Sequence, residues 1–226
     1  MATKKGNHLS GRLGREIHYS VDGVERVRTG PKHVHQPGTD PQKAHWGSFV
    51  DIVRLSSKMA DAAEIGLAHP ARKKTKPYLL FRHINKKCFT PDGQIDYPNI
   101  ILSQGAISRV GFTDIRLNKR STNGKCRLHL SFDPCLQVGI AHPDDELYLY
   151  AFCPSLGAGL LFEPVPREAG KLTVALPADW LKAEVYLYAF LRCPGVTANT
   201  PEKYKPSARN RRGQTSPTHY IPLPTS

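Results

Sequence analysis

The spacing of apolar and polar residues divides the chain into a β-prone start, a helical middle and a β-rich second half. In EIHYSV, residues 16–21, apolar and polar positions alternate, and Asp22-Gly23 separates this run from a second β-prone run. Asp-Gly between two such runs is the strongest short signal for a β-hairpin, because both turn residues adopt positive φ. We therefore predict an extended basic hairpin arm over residues 1–40.

Helical spacing begins after the arm. Thr39 and Gln42 have the form of a capping box, with Pro41 in the first turn of the predicted helix. The apolar residues that follow recur at helical intervals, which predicts a helix to about Leu67. A second helix is predicted over PYLLFRHINKKCF, residues 77–89, within a helical segment that spans residues 41–94. The apolar positions of the first helix are Trp46, Phe49, Val50 and Val53.

From residue 95 to residue 195 the apolar period becomes two. The β-prone runs are short and separated by turn residues such as Asn123-Gly124, which is typical of an antiparallel sandwich. We predict a mainly β fold with a helical middle (α+β), in which an N-terminal β-hairpin arm and two helices precede a C-terminal immunoglobulin-like antiparallel β-sandwich. Trp46 and Trp180 are expected to be core anchors. The predicted strands cover residues 95–102, 111–117, 125–132, 146–152, 159–162, 171–175 and 184–191.

Two predicted strands are nearly identical. Residues 146–152 read ELYLYAF and residues 184–190 read EVYLYAF, so they differ at one position of seven. Alternation places the three aromatic residues of each copy on one face of its strand. The repeat predicts two strands with the same structural role. The tail, residues 196–226, is predicted to be a basic loop in which THYIPLP forms an edge strand, where proline is tolerated.

The six residues before the first copy, AHPDDE, resemble the zinc-binding motif of the N-acetylglucosaminyl deacetylase family. The resemblance implies that His142 and Asp145 bind zinc and that Asp144 acts as the base. In that family the motif follows the first strand of an α/β domain near the chain start and needs a further histidine, whereas here only His219 follows. The second copy, EVYLYAF, lacks the motif in front of it. We interpret HPDD as a type I turn and the match as coincidental, and we keep a zinc deacetylase as a distant alternative.

A second resemblance extends over most of the chain. Its segments are GNHLSGRLGREIHYSVDGVERVRTGP, TDPQKAHWGSF, DYPNIILSQG and LTVALPADW. In order and spacing they resemble an uncharacterised bacterial family, common in Bacteroidetes and known only as a domain of unknown function, which has a G-x-L-S-G-x-x-G hairpin arm and a β-rich second half. The resemblance implies architecture and no activity. Openings of this kind also resemble those of phage-type and appendage-type structural proteins, in which the arm pairs with a neighbouring subunit.

Charge is concentrated at the two ends of the sequence. The chain has 226 residues and a net charge of +13, of which the first hundred residues contribute +8 and the final 26 contribute +4. Such segments suit nucleic acid, an acidic partner or an anionic surface. The basic residues chosen for partner contact are Arg12, Arg15, Arg26, Arg28 and Lys32. His33 and His35 are read as loop histidines, because no third ligand for a metal lies near them in the sequence.

The remaining composition argues against a membrane-spanning protein, a secreted protein and a disulfide framework. No apolar run approaches the roughly 18 residues of a membrane span, and no secretory signal peptide is visible, so we expect a cytoplasmic protein or part of a released particle. The five cysteines form no C-x-x-C pair, which favours reduced, buried thiols. The five are Cys88, Cys126, Cys135, Cys153 and Cys193.

No serine elbow, nucleotide loop or complete metal set is found in the sequence, so we expect no catalytic residues, no metal and no cofactor. The leading interpretation is a non-catalytic structural or assembly protein that forms homo-oligomers or docks on a partner through its basic arm. The first alternative is a nucleic-acid-binding protein that uses the basic N-terminal half and the tail.

Overall fold

The computed structural model describes residues 3–5, 8–30, 38–68, 75–90, 92–122, 124–134, 141–194 and 214–224. It divides into two compact units, Met1–Lys43 and Ala44–Ser226. The fold of the described residues is mixed α+β: antiparallel sheets dominate it, and in chain order three short helices follow the strands of the first unit. The α+β part of the fold prediction is therefore confirmed.

The elements in the described ranges follow in chain order. The helices are α1 (Asp40–Lys58), α2 (Ala60–Gly66) and α3 (Pro77–Ile84). The strands are β1 (Thr3–Lys5), β2 (His8–Leu13), β3 (Glu16–Val21), β4 (Val24–Thr29), β5 (Phe112–Thr122), β6 (Lys125–Phe132), β7 (Glu146–Cys153), β8 (Ala158–Leu161), β9 (Val165–Pro166), β10 (Lys171–Pro177), β11 (Tyr186–Arg192) and β12 (His219–Ile221).

The first unit contains an antiparallel sheet in the order β1-β2-β3-β4. Asp22 and Gly23 have φ values of 54° and 80° and join β3 to β4, which confirms the predicted hairpin. A second tight turn joins β2 to β3, and its first residue, Gly14, has a φ of 62°. The predicted two-stranded arm is thus one half of a four-stranded meander.

In the second unit two sheets share one apolar core. The smaller sheet has the order β10-β6-β5, and the larger has the order β12-β11-β7-β8, with β9 also paired to β7. Leu128 and Leu130 of β6 lie in the same buried cluster as Leu147, Leu149 and Leu187 of the larger sheet. The alternation in these strands therefore places one leucine-rich face of each sheet in a common core.

The opposite face of the larger sheet is aromatic and packs against the helices. The two similar segments pair directly as β7 and β11, with Tyr148 opposite Phe190 and Tyr150 opposite Tyr188. The Tyr148 and Phe190 rings are stacked, with centroids 5.5 Å apart. These rings form a second buried cluster with helical residues that include Ile52, Leu55, Met59, Leu80 and Phe81. The expectation that the aromatic residues of each copy share a face is confirmed.

The first predicted helix is wrong in two respects. The helical run is interrupted at Met59, which separates α1 from α2. Trp46 is 54% exposed and is not a core anchor, whereas Trp180 is buried as expected. Helix α1 carries two apolar stripes, and the one that contains Ile52 and Leu55 is buried, while Trp46, Phe49 and Val50 are exposed. The predicted cap is present in part, since the Thr39 N–H donates to Gln42 Oε1 at 3.0 Å.

The strand predicted over residues 95–102 is also wrong. Tyr97–Asn99 form a single 3-10 turn that contains Pro98, and only Ile95 makes an isolated bridge, to Phe89. The buried side chain of Asn85 satisfies the backbone of Ile101, because its amide nitrogen donates to the Ile101 carbonyl oxygen and its carbonyl oxygen accepts the Ile101 N–H. Side-chain hydrogen bonds thus replace a strand ladder in this segment.

Two predictions from composition can be compared with the structure. Cys88, Cys126, Cys153 and Cys193 are buried and form no disulfide among the described residues, as expected, while Cys135 lies outside that part of the chain. In the part of the chain that the structure describes, no helix combines the length and apolar character that a membrane span requires.

Candidate interaction surface

The structure brings three of the five predicted partner-binding residues together on the N-terminal sheet. Arg12 lies opposite Ile17, Ile17 lies opposite Arg28, and Tyr19 lies opposite Arg26. Residues that pair directly in an antiparallel sheet point to the same face. Arg12, Arg26 and Arg28 therefore surround Ile17 and Tyr19 on a surface that we call the basic face.

The basic face has an aromatic side chain among its arginines. The Arg28 guanidinium lies 5.8 Å from the centre of the Tyr19 ring, within the range of a cation–π contact. Arg12 Nε donates to the Gly14 carbonyl oxygen at 3.0 Å, which uses one of its donors. Among the described residues no ion pair involves Arg12, Arg26 or Arg28, so their charges are available to a partner.

The other predicted partner residues lie elsewhere. Arg15 occupies the turn between β2 and β3, and its carbonyl oxygen accepts the Gly30 N–H. Lys32, together with the loop residues His33 and His35, lies outside the described residues.

The opposite face of the sheet carries the acidic residues of its strands, and we call it the acidic face. Glu16 lies opposite Leu13, Val27 lies opposite His18, and Glu25 lies opposite Ser20. The His18 ring is 3.5 Å from the Glu16 carboxylate. Within β3 and β4 both glutamates are thus on one face and both arginines on the other, so the sheet separates charge between its two sides.

Both faces of the sheet expose apolar side chains. Leu13 and Val27 on the acidic face are each more than half exposed, and so is Val24 on the basic face, next to the partly exposed Val21. No residue of β3 or β4 is buried. A sheet of this kind lacks the apolar core that normally stabilises a two-stranded or four-stranded unit.

The AHPDDE segment forms a hydrogen-bonded turn before β7. The buried Asp145 carboxylate accepts the His142 N–H at 2.8 Å, and the Asp145 N–H donates to the His142 carbonyl oxygen at 3.2 Å. His142 Nδ1 lies 2.8 Å from Asp144 Oδ1. The N–H groups of Arg167 and Glu168 donate to the carbonyl oxygens of Asp145 and Pro143. The three side chains that the deacetylase resemblance names are therefore engaged within the turn.

Among the residues that the structure describes, no three His, Cys, Asp or Glu side chains come close enough together to hold a metal ion.

One open cleft of about 700 Å³ lies in the second unit, beside β12. Lys87, Arg109 and Asp96 contribute charged groups, and His219 and Cys88 contribute groups with nucleophilic or acid-base chemistry. Burial, with a smaller effect from Asp96, raises the pKa of the Cys88 thiol, which also donates to the Asn99 carbonyl oxygen. Burial and the nearby Arg109 lower the pKa of His219. These shifts favour the neutral thiol and the neutral imidazole.

Comparison with known proteins identifies no relative: no family model matches the chain, and neither a curated protein nor a solved structure matches it.

The two faces could be recognised in the sequence from alternation, because successive residues of a strand point to opposite sides of the sheet. The hairpin turn at Asp22-Gly23 fixes the register of β3 against β4, and the register assigns Arg26 and Arg28 to one side and Glu25 to the other. Arg12 joins them only through the turn at Gly14, which the hydrophobic pattern does not indicate. Selection by basic charge alone does not reveal the acidic face, which the same register forms with Leu13 and Val27.

Proposed function

We propose that this chain is a non-catalytic structural or assembly protein that joins like subunits, or docks on a partner, through its basic N-terminal arm. The observation that carries the proposal is the exposed state of the arm sheet, in which no residue of β3 or β4 is buried although both strands contain apolar side chains. Full burial of a valine or leucine side chain contributes roughly 1.5–3 kcal/mol. Covering Leu13, Val24 and Val27 would therefore favour association.

The proposed architecture fits this role. We propose that the second unit is an immunoglobulin-like sandwich, because the orders β5-β6-β10 and β12-β11-β7-β8 parallel the strand orders A-B-E and G-F-C-C′ of that fold. We further propose that the chain belongs to the bacterial family of unknown function that its segments resemble, and that it is a subunit of a phage-like or appendage-like particle. A chain that combines such a sandwich with a separate strand-rich unit is suited to linking subunits in series.

Size-exclusion chromatography with light scattering on the full-length protein tests the proposal. The weight-average mass should rise above that of the 25.1 kDa chain as concentration increases. A constant monomer mass up to high concentration, together with protection of the arm amides from hydrogen exchange in that monomer, would contradict it.

Nucleic-acid binding is the second candidate function, and the arrangement of Tyr19 among three arginines favours it. Arginine and aromatic side chains on an exposed sheet can contact phosphates and stack on bases. Binding of this kind should weaken steeply with salt, because each neutralised phosphate releases counterions.

A fluorescence anisotropy titration with duplex and single-stranded oligonucleotides at several salt concentrations separates the two candidates. We expect weak binding without sequence preference. Tight, sequence-selective binding at physiological salt would favour the nucleic-acid function over assembly.

A further inference from the structure

The arm sheet has two faces of opposite charge, and this determines which surface can cover which. We propose, as a step that rests on the assembly function above, that the basic face of one copy packs on the acidic face of a second copy in a head-to-tail contact. The partner is therefore another copy of this chain, and the two contacting surfaces are different.

Charge supports contact between unlike faces. The basic face presents Arg12, Arg26 and Arg28, and the residues placed on it by the strand register include no acid. The acidic face presents Glu16 and Glu25. Two basic faces in contact would bring six guanidinium groups together, whereas unlike faces pair arginines with carboxylates. Complementary charge across an interface excludes the like-charged arrangement and fixes the relative orientation of the partners.

The apolar residues support a contact at both faces. Val21 and Val24 lie with Ile17 and Tyr19 on the basic face, and Leu13 and Val27 lie on the acidic face. A polyanion on the basic face would leave the exposed leucine and valine of the acidic face unexplained. A second copy accounts for both, because the contact then covers the exposed apolar side chains of each face together with its charged ones.

Size limits the strength of one contact. Strands β2, β3 and β4 have six residues each and β1 has three. At about 4.8 Å between strands and about 3.4 Å per residue, the four-stranded face measures roughly 340 Å². Specific stable interfaces bury about 800 Å² on each partner. One face-to-face contact is therefore weak, and association should depend steeply on concentration and on salt, because charge pairs at its rim are screened.

Charge reversal with mixing tests the arrangement. The first variant carries Arg26→Glu and Arg28→Glu, which makes both faces acidic, and the second carries Glu16→Lys and Glu25→Lys, which makes both faces basic. Each variant alone should stay at monomer mass at concentrations where the wild type associates. An equimolar mixture should associate at least into one-to-one pairs, since the unchanged acidic face of the first variant meets the unchanged basic face of the second.

One variant with charge changes elsewhere in the chain and two neutral double variants serve as controls for this experiment. Lys171→Glu with Lys182→Glu, at exposed positions of the second unit, lowers the net charge as much as the arginine variant does and should leave association unchanged. If a reversal variant loses its β-sheet circular dichroism, the neutral pairs Arg26→Gln with Arg28→Gln and Glu16→Gln with Glu25→Gln replace it. Each neutral pair should raise the concentration needed for half-association at least several-fold.

Three other outcomes would contradict the proposed contact, and the measurements distinguish them from one another. A wild type that stays monomeric removes the assembly function and this contact with it. A wild type that associates, with mixtures that do not associate, leaves assembly in place and excludes contact between unlike faces. If only the arginine variant fails and added single-stranded oligonucleotide restores association of the wild type after nuclease treatment, a nucleic acid rather than a second copy covers the basic face.

Discussion

Tyr188 of β11 lies opposite Tyr150 of β7, with ring centroids 6.5 Å apart, and both hydroxyl groups donate to backbone carbonyl oxygens. The Tyr150 hydroxyl donates to the Lys58 carbonyl oxygen at 2.9 Å, and the Tyr188 hydroxyl donates to the Tyr97 carbonyl oxygen at 2.8 Å. The two tyrosines therefore connect the paired strands to the helical layer and to the segment around Tyr97. Burial is the main cause that raises the pKa of each.

Stability should fall in alkaline solution because of these tyrosines. Their neutral hydroxyls are held in the folded chain, while in the unfolded chain they ionise above about pH 10. The folded state then binds more protons than the unfolded state, so their contribution is complete below about pH 10 and is lost as the pH rises further. Urea unfolding at several pH values measures this loss.

The variant Tyr188→Phe should flatten that alkaline decline. At neutral pH the substitution should lower the free energy of unfolding by about 0.5–1.5 kcal/mol, because the hydrogen bond to the Tyr97 carbonyl oxygen is lost. Tyr78→Phe, on the exposed surface of α3, provides the matched control and should change neither quantity. If the free energy of unfolding fell as steeply with rising pH in Tyr188→Phe as in the wild type, Tyr188 would not be a cause of that fall.

The AHPDDE turn should depend on Asp145 far more than on Asp144. Asp145→Ala leaves the His142 N–H without its buried acceptor and should cost about 1–3 kcal/mol, whereas Asp144→Ala removes a partly exposed pair worth at most about 1 kcal/mol. Thermal unfolding of the two single variants gives the comparison.

Elemental analysis of the purified protein gives a second readout for the same turn. We expect no stoichiometric zinc. One equivalent of tightly bound zinc, lost in a variant with Asp144→Asn and Asp145→Asn, would overturn the interpretation of this segment as a turn.

Two helical glycines should respond in opposite directions to alanine. A Cβ at Gly66 would collide with the Leu102 carbonyl oxygen and crowd Ser103, so Gly66→Ala should destabilise by about 1–3 kcal/mol. A Cβ at Gly47 meets no atom within 4 Å, so Gly47→Ala in α1 should stabilise by about 0.5–1 kcal/mol. Differential scanning calorimetry of the pair checks the signs, and a stabilising Gly66→Ala would show that Leu102 can move away.

Removal of residues 1–38 should leave a folded monomer. The second unit has its own two buried clusters, and the cut keeps α1 intact from its capping residue Thr39. We expect retained β-rich circular dichroism and loss of the concentration-dependent mass increase. A shortened chain that still associates would place the contact in the second unit, where Trp46 and Phe49 are the exposed apolar candidates.

Strands were predictable from the sequence where alternation leaves one wholly apolar face. Residues 125–132 are an example, and β6 has these bounds. The likeness of the two aromatic segments was visible, but their direct pairing was not, because similar sequences need not be neighbours in a sheet. The alternating run at residues 95–102 was misleading because Asn85 and Thr218, distant in sequence, satisfy its backbone.

The helical period gave the position of α1 but not its buried side. Trp46, Phe49 and Val50 form one apolar stripe, and Ile52 and Leu55 belong to another, so periodicity alone could not choose between them. At the candidate surface, the arginines could be chosen by charge, whereas their common face depends on the register across two turns. The sequence pattern strongly indicated only one of those turns.

The segment that contains Thr215 and Thr218 joins parts of the chain that are far apart in sequence. Thr215 Oγ1 donates to the Gly66 carbonyl oxygen across 149 positions, and Thr218 Oγ1 accepts the Leu102 N–H across 116. Contacts of such long range require closure of large loops before they contribute energy, and chains rich in them fold slowly. During refolding, the helices and the β5–β6 hairpin can form early from local contacts, but the docking of β12 has to wait. A refolding intermediate that lacks this strand would expose the edge of β11 and would be the species most prone to aggregate.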